Sequence, residues 1–159
     1  MSETYFREAG AGPGVVCVHC NASSSAQWHG LMDRLAPRFH VLAGDSHGAG
    51  RGPAWPADRT LRLQDEVALL QPLIERTGQP LALVGHSYGG AVALLAALQH
   101  RPRALVLYEP TLFALLDEET PPPNEAYGIR QTVADAAAPP QHRHPEPALS
   151  LRLAHRRAD

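Results

Sequence analysis

Leu81-Ala82-Leu83-Val84-Gly85-His86-Ser87-Tyr88-Gly89-Gly90 is an apolar run that ends in a serine set between glycines. Leu81 to Val84 is the unbroken aliphatic text of a strand buried on both faces, and Pro80 marks its start. Ala91 to Leu98 is too long for a strand and rich in strong helix formers. Strand, tight turn and helix therefore follow one another without a gap. Gly85, Ser87 and Gly89 match the Gly-x-Ser-x-Gly pattern, in which a serine sits on a strained strand-to-helix corner and the glycines clear space around it. Ser87 is the candidate nucleophile.

Working outward, Val15 to His19 reads as a central parallel strand, followed by the polar tract Asn21 to Ser25. Ser24 and Gln27 have the spacing of a capping box for a helix whose Trp28, Leu31 and Leu35 share one face and which Pro37 stops. His40 to Asp45 is the next strand, and Ser46 to Pro53 a glycine-rich loop that Asp45 is placed to fix. Its Gly48-x-Gly50-x-Gly52 spacing is wrong for a dinucleotide fingerprint, and no Gly-Lys-Ser/Thr occurs. Thr60 to Thr77 reads as a helix with Val67, Leu70 and Leu73 or Ile74 inward, Pro72 as a local kink and Gly78 as the stop. Ala104 to Tyr108 is a further buried strand, and Thr4 to Glu8 a short one at the start. About five strands alternating with helices imply an α/β fold: a doubly wound, mostly parallel sheet in three α/β/α layers. Such sheets bind ligands at the carboxyl ends of their strands, where Asn21, His47, Ser87 and Glu109 fall.

Four segments together resemble the α/β-hydrolase fold family, in its esterase, lipase and haloperoxidase-like branch. They are Val15 to Asn21, Gly44 to Arg51, the turn at Ser87, and Ala104 to Pro110, and the likeness runs from about Thr4 to about Phe113. The resemblance implies a serine hydrolase acting on an ester-like carbonyl, with the backbone N–H groups of Asn21 and Tyr88 as the oxyanion hole and no cofactor or metal. Cys20 departs from the family, which has glycine there. His19 and His47 are expected to brace their loops rather than act on substrate. Family order places an acid and then a histidine on loops after two further strands, and neither strand is legible after Phe113. Glu109, ending the strand at 104–108, is the candidate acid, since some family members use a carboxylate there; the alternative is a strand-end Glu before Pro110 that hydrogen-bonds a neighbouring loop. His142, His144 and His155 lack a strand to aim them, so the base histidine stays unassigned.

The expected organisation is a core over 1–115, the start of a cap over 116–138 and an irregular or disordered tail over 139–159, that is, an α/β-hydrolase core lacking its last strands. The tail's Arg, His and Pro content suggests a truncated or shifted reading frame. The alternative to catalysis is an inactive fragment or partner-binding module, with the strand at 104–108 as an exposed edge open to self-association.

At 159 residues and 44% apolar content the chain can bury a real core. A net charge of −2 with no basic block argues against electrostatic capture of nucleic acid or a membrane surface, and the family resemblance implies a small-molecule substrate. No run of about 18 apolar residues occurs and the start lacks a signal peptide's pattern, so a cytoplasmic location is expected. All fourteen basic residues are arginine. Cys17-x-x-Cys20 is read as structural rather than redox-active, because Cys17 lies inside an apolar strand.

Overall fold

The computed structural model describes residues 4–113 and 127–137. The chain divides into two compact units, Met1–Leu112 and Phe113–Asp159. The first holds a five-stranded sheet in the order β1-β3-β2-β4-β5, with β1 at Phe6–Ala9, β2 at Gly14–Val18, β3 at His40–Gly44, β4 at Leu81–His86 and β5 at Ala104–Tyr108. Only β1 runs antiparallel to its neighbour; β3, β2, β4 and β5 are parallel. The central strands are the aliphatic ones because they lose water on both faces.

Three helices cover the sheet. α2 (Leu63–Thr77) and α3 (Tyr88–His100) lie on one face, where Val67, Leu70, Leu73, Val92 and Ala96 pack on Val16, Leu42 and Leu83. On the other face α1 (His29–Leu35) presents Met32, with Trp28 before it, to Val15, Cys17, Val41 and Ala43. Alternate residues of β2 and β3 thus feed the two cores, giving the expected three layers. β5 is the last strand of the described sheet. Leu105 and Leu107 pack on the α2/α3 side, while Val106 and Tyr108 are 54% and 59% exposed on the other.

Several boundaries and contacts differ from the sequence reading. β1 starts at Phe6 rather than Thr4, and β3 ends at Gly44, one residue before Asp45. α2 begins at Leu63, not Thr60, because Asp65 turns back to accept the Arg62 N–H at 2.8 Å and closes the first turn there. The helix runs continuously through Pro72 to Thr77, and Gly78 stops it at φ 67°. Ser24 and Gln27 do not form a reciprocal capping box. Ser24 Oγ accepts from Ala26 N–H at 3.3 Å, a 3-10 turn spans Ser25–Trp28 before α1, and the Gln27 side chain reaches elsewhere. On α1 it is Met32 that is buried, with Leu31 and Leu35 only partly so.

In the second unit the described element is α4, Tyr127–Ala137. The tail over 139–159, with His142, His144 and His155, lies outside the described residues, as do residues 116–126 of the stretch assigned to the start of a cap. No helix among the described residues is long and apolar enough to cross a membrane.

Candidate active site

Ser87 joins β4 to α3 with φ 53° and ψ −118°, a left-handed conformation that a side-chain-bearing residue rarely takes. The surrounding backbone over-determines it. Ser87 N–H donates to Tyr108 O at 2.9 Å, and its own carbonyl accepts from Gly90, Ala91 and Thr111 N–H at 2.9, 3.3 and 3.2 Å. The flanking glycines are steric necessities. A Cβ on Gly89 would run into the Val18 and His19 carbonyl oxygens, and one on Gly85 would lie 2.7 Å from Gly90 Cα and 2.8 Å from Ala93 Cβ. Hence α3 can sit directly against β4 and the end of β2.

The first N–H groups of a helix have no intrahelical acceptor, and that of Tyr88 has no partner among the described residues. The Asn21 N–H is likewise unpartnered. Its direction is set by a neighbour. Ser46 N–H donates to His19 Nε2 at 3.0 Å, so that nitrogen carries no proton and Nδ1 is the donor, 2.7 Å from Cys20 O. Cys20 O and Asn21 N–H belong to one planar trans peptide, so anchoring the carbonyl on His19 turns the N–H to the opposite side. His19 is 2% exposed and braces the loop, as its position in the sequence implies. Cys20 has an ordinary φ; the left-handed residue of this loop is Ala22, at φ 55°.

Asp45 organises the next loop. Its Oδ1 accepts Ser25 N–H at 2.6 Å and its Oδ2 accepts Arg51 N–H at 2.8 Å, tying the glycine-rich loop to the turn before α1. Burial pushes this carboxyl up, but the Arg51 and Ser25 N–H groups outweigh it and hold the pKa below the usual value. Gly50 (φ 52°) lies so close that a Cβ there would stand 2.7 Å from Asp45 Cγ.

A cleft of about 360 Å³ opens at this end of the sheet, with His19, Asn21, His47, Trp55, Glu66 and Tyr88 in its lining. Ser87 is not part of the lining and adjoins it through Tyr88. Glu66, 2% exposed, was not anticipated as a site residue. Its signal is positional: Glu66, Leu70 and Leu73 stand at i, i+4 and i+7 on the inward stripe of α2. His47 N–H donates to Glu66 Oε2 at 3.3 Å, while His47 Nδ1 lies equally far from that oxygen without making a hydrogen bond. His47 thus braces through its backbone. Burial first, then the Glu66 carboxylate, pushes the Tyr88 phenol up to about 12.

Glu109 follows β5 directly, level with Ser87 in the parallel register in which His86 pairs with Tyr108. It is exposed and left-handed, at φ 46°, and its carboxylate has no partner among the described residues. Two strained residues therefore stand side by side at the ends of adjacent strands. No side chain among the described residues hydrogen-bonds the Ser87 hydroxyl. Nor do three His, Cys, Asp or Glu side chains group there to hold a metal ion. Both cysteines are free thiols; burial pushes that of Cys17 up to about 12, which suits a structural role.

The sequence matches the family model for the alpha/beta hydrolase fold over residues 13–156. It is 38% identical over 101 residues to Lipase LipV of Mycobacterium tuberculosis, covering 62% of this chain and 37% of the lipase. It is 36% identical over 96 residues to the pimeloyl-[acyl-carrier protein] methyl ester esterase of Aeromonas hydrophila, covering 59% of this chain and 35% of the esterase. The crystal structure of an alpha/beta hydrolase from Sphaerobacter thermophilus superposes with a TM-score of 0.63 at 29% identity, over 84% of this chain and 50% of that one. The chain thus spans about a third of the length of these two curated relatives. From the parallel sheet, the glycine-cleared corner at Ser87 and the match over residues 13–156, the chain belongs to the alpha/beta hydrolase fold family.

Proposed function

We propose that the protein is a serine hydrolase acting on an ester-like carbonyl. Ser87 Oγ attacks the carbonyl carbon, the Tyr88 and Asn21 N–H groups bind the developing oxyanion, and Glu109 is the acid of the triad. The alcohol leaves with a proton and water then releases the acyl group from Ser87. A general base must take the serine proton, and the described residues supply none, so the triad is incomplete among them. One observation carries the reading: a left-handed serine stands on a strand-to-helix corner, and the next N–H, that of Tyr88, has no partner among the described residues, as is true of the Asn21 N–H in the lining of the same cleft as Tyr88. The names of the relatives, a lipase and a methyl ester esterase, support an ester as substrate.

A fluorophosphonate probe tests it, with p-nitrophenyl acetate turnover in parallel. The expected result is rapid labelling of Ser87, lost in Ser87→Ala. A folded protein that is not labelled overturns the reading. Weak turnover alone does not establish the triad, because an oxyanion hole by itself retains about 10³-fold catalysis over water.

The second reading is a hydrolase-like domain that binds a partner without turnover. Exposed Val106 and Tyr108 on β5 favour it. Self-association that rises with concentration in a protein the probe does not label would support this reading against the first.

A further inference from the structure

The side chain of Gln27 spans from the loop after β2 to the corner at Ser87. Its Oε1 accepts the Cys20 N–H at 2.9 Å, and its Nε2 lies 2.8 Å from His86 Nδ1. The orientation of the amide follows from the partners: a backbone N–H only donates, so the oxygen must face Cys20 and the NH₂ must face His86. His86 Nδ1 is then an acceptor, and the imidazole is neutral with its proton on Nε2. Tyr108 packs against the ring, with centroids 4.8 Å apart. Among the described residues no carboxylate or guanidinium pairs with His86.

Cys20 is therefore gripped twice, by Gln27 at its N–H and by His19 at its carbonyl. The His19 bond ties the loop to Ser46 and so to the β3 side of the sheet. The Gln27 bond ties it to His86, the residue before Ser87. We propose that Gln27 is a positioning residue that fixes the distance between the Asn21 N–H and the Ser87 hydroxyl, with neutral His86 as its second anchor. This rests on the reading of Ser87 as nucleophile and of Asn21 N–H as an oxyanion donor. Gln27 touches neither substrate nor reacting atoms; it acts by holding two loops that carry them.

Two Gln27 variants, with Ser87→Ala beside them, test it on the full chain. Gln27→Ala removes both bonds. Hydrogen exchange at the Cys20 amide is expected to rise about tenfold, and the His86 ring nitrogens, followed by ¹⁵N NMR, are expected to leave the single tautomer. Neither readout needs turnover. Unchanged exchange and an unchanged tautomer overturn the proposal.

In p-nitrophenyl acetate hydrolysis, Gln27→Ala is expected to lower kcat about tenfold with KM nearly constant, because the loss falls on the transition state. A rise in KM alone overturns the positioning role. Gln27→Glu is the discriminating variant. The carboxylate still accepts the Cys20 N–H but cannot donate, so the pair survives only with a proton on His86 Nδ1 and the ring as donor. In ¹⁵N NMR, Gln27→Glu is thus expected to move the His86 proton to Nδ1, whereas the wild type carries it on Nε2. An Nδ1 that stays unprotonated in that variant overturns the pairing with His86. Ser87→Ala separates the two levels: if it labels like the wild type, the nucleophile reading fails, while the exchange data still judge the clamp.

Discussion

Replacing Asp45 by alanine removes the one carboxylate that joins the end of β3 to both the turn before α1 and the glycine-rich loop. Two backbone donors lose their acceptor, Ser25 N–H at 2.6 Å and Arg51 N–H at 2.8 Å. Hydrogen bonds to a charged group contribute about 1.5–3 kcal/mol each. Ser25 is 1% exposed, so its N–H keeps its whole desolvation cost, about 2 kcal/mol. Arg51 lies at the surface, where water restores part of its bond, leaving about 1 kcal/mol. Asp45→Ala is therefore expected to lose about 3 kcal/mol, or roughly 10 °C in Tm. Asp45→Asn keeps one acceptor but turns an NH₂ toward the other donor, and about 2 kcal/mol is expected. Urea unfolding at neutral pH with an unchanged m-value measures both. The folded carboxyl is held below its ordinary pKa, so its contribution is full above the unfolded value and is lost as pH falls through the folded one. The gap between wild type and Asp45→Asn must then narrow in acid. A loss under about 0.5 kcal/mol for Asp45→Ala, or a gap constant with pH, refutes this account.

Gly89→Ala drives a Cβ into two fixed backbone carbonyls and is expected to cost about 3 kcal/mol, whereas Gly78→Ala, with open space but φ 67°, costs about 1 kcal/mol; denaturant titration compares them. With iodoacetamide and mass spectrometry, partly exposed Cys20 is expected to alkylate in the native protein and Cys17, its thiol buried and pushed up to about 12, only after unfolding. Thermal melts should lose stability as pH drops below the carboxylate range. Asp65 is lowered to about 2 first by its hydrogen bonds to Arg59, and Glu8 is lowered by Arg76 and His40, so each stabilises above its unfolded pKa and ceases to as it protonates. Because Asp65 and Glu8 are solvent-accessible, salt should shrink their share.

The corner at Ser87 was legible because each of its features has a local cause: an aliphatic strand, glycines where backbones meet, and a helix of alanine and leucine. β5 at Ala104–Tyr108 and the stop of α2 at Gly78 were legible for the same reason. Gln27 was not. Three residues after Ser24, its local signal is a capping box, and only the fold brings Cys20 and His86, the latter 59 residues away, within its reach. Glu66 was similarly hidden, since an acid in the first turn of a helix is ordinarily explained by the helix dipole rather than by burial. The start of α2 was misplaced because nothing in Thr60 or Leu61 shows that Asp65 folds back on Arg62. Asp45, His19 and His47 as loop braces were legible because polar residues just after a strand commonly satisfy the backbone of the loop that follows.

The peptide between Cys20 and Asn21 separates two kinds of information. Its carbonyl is consumed by His19 and its N–H is aimed by that bond, while the side chain at position 21 takes no part in either. The same division holds at Tyr88, whose contribution to the proposed oxyanion hole is also main chain. On the proposed reading, randomising positions 21 and 88 is expected to change substrate preference while the oxyanion-binding N–H groups stay where the backbone holds them. Position 21 is the freer of the two, since it is exposed and Tyr88 lies against Glu66. On that reading selectivity and the stabilisation of charge rest on different atoms of the same residues.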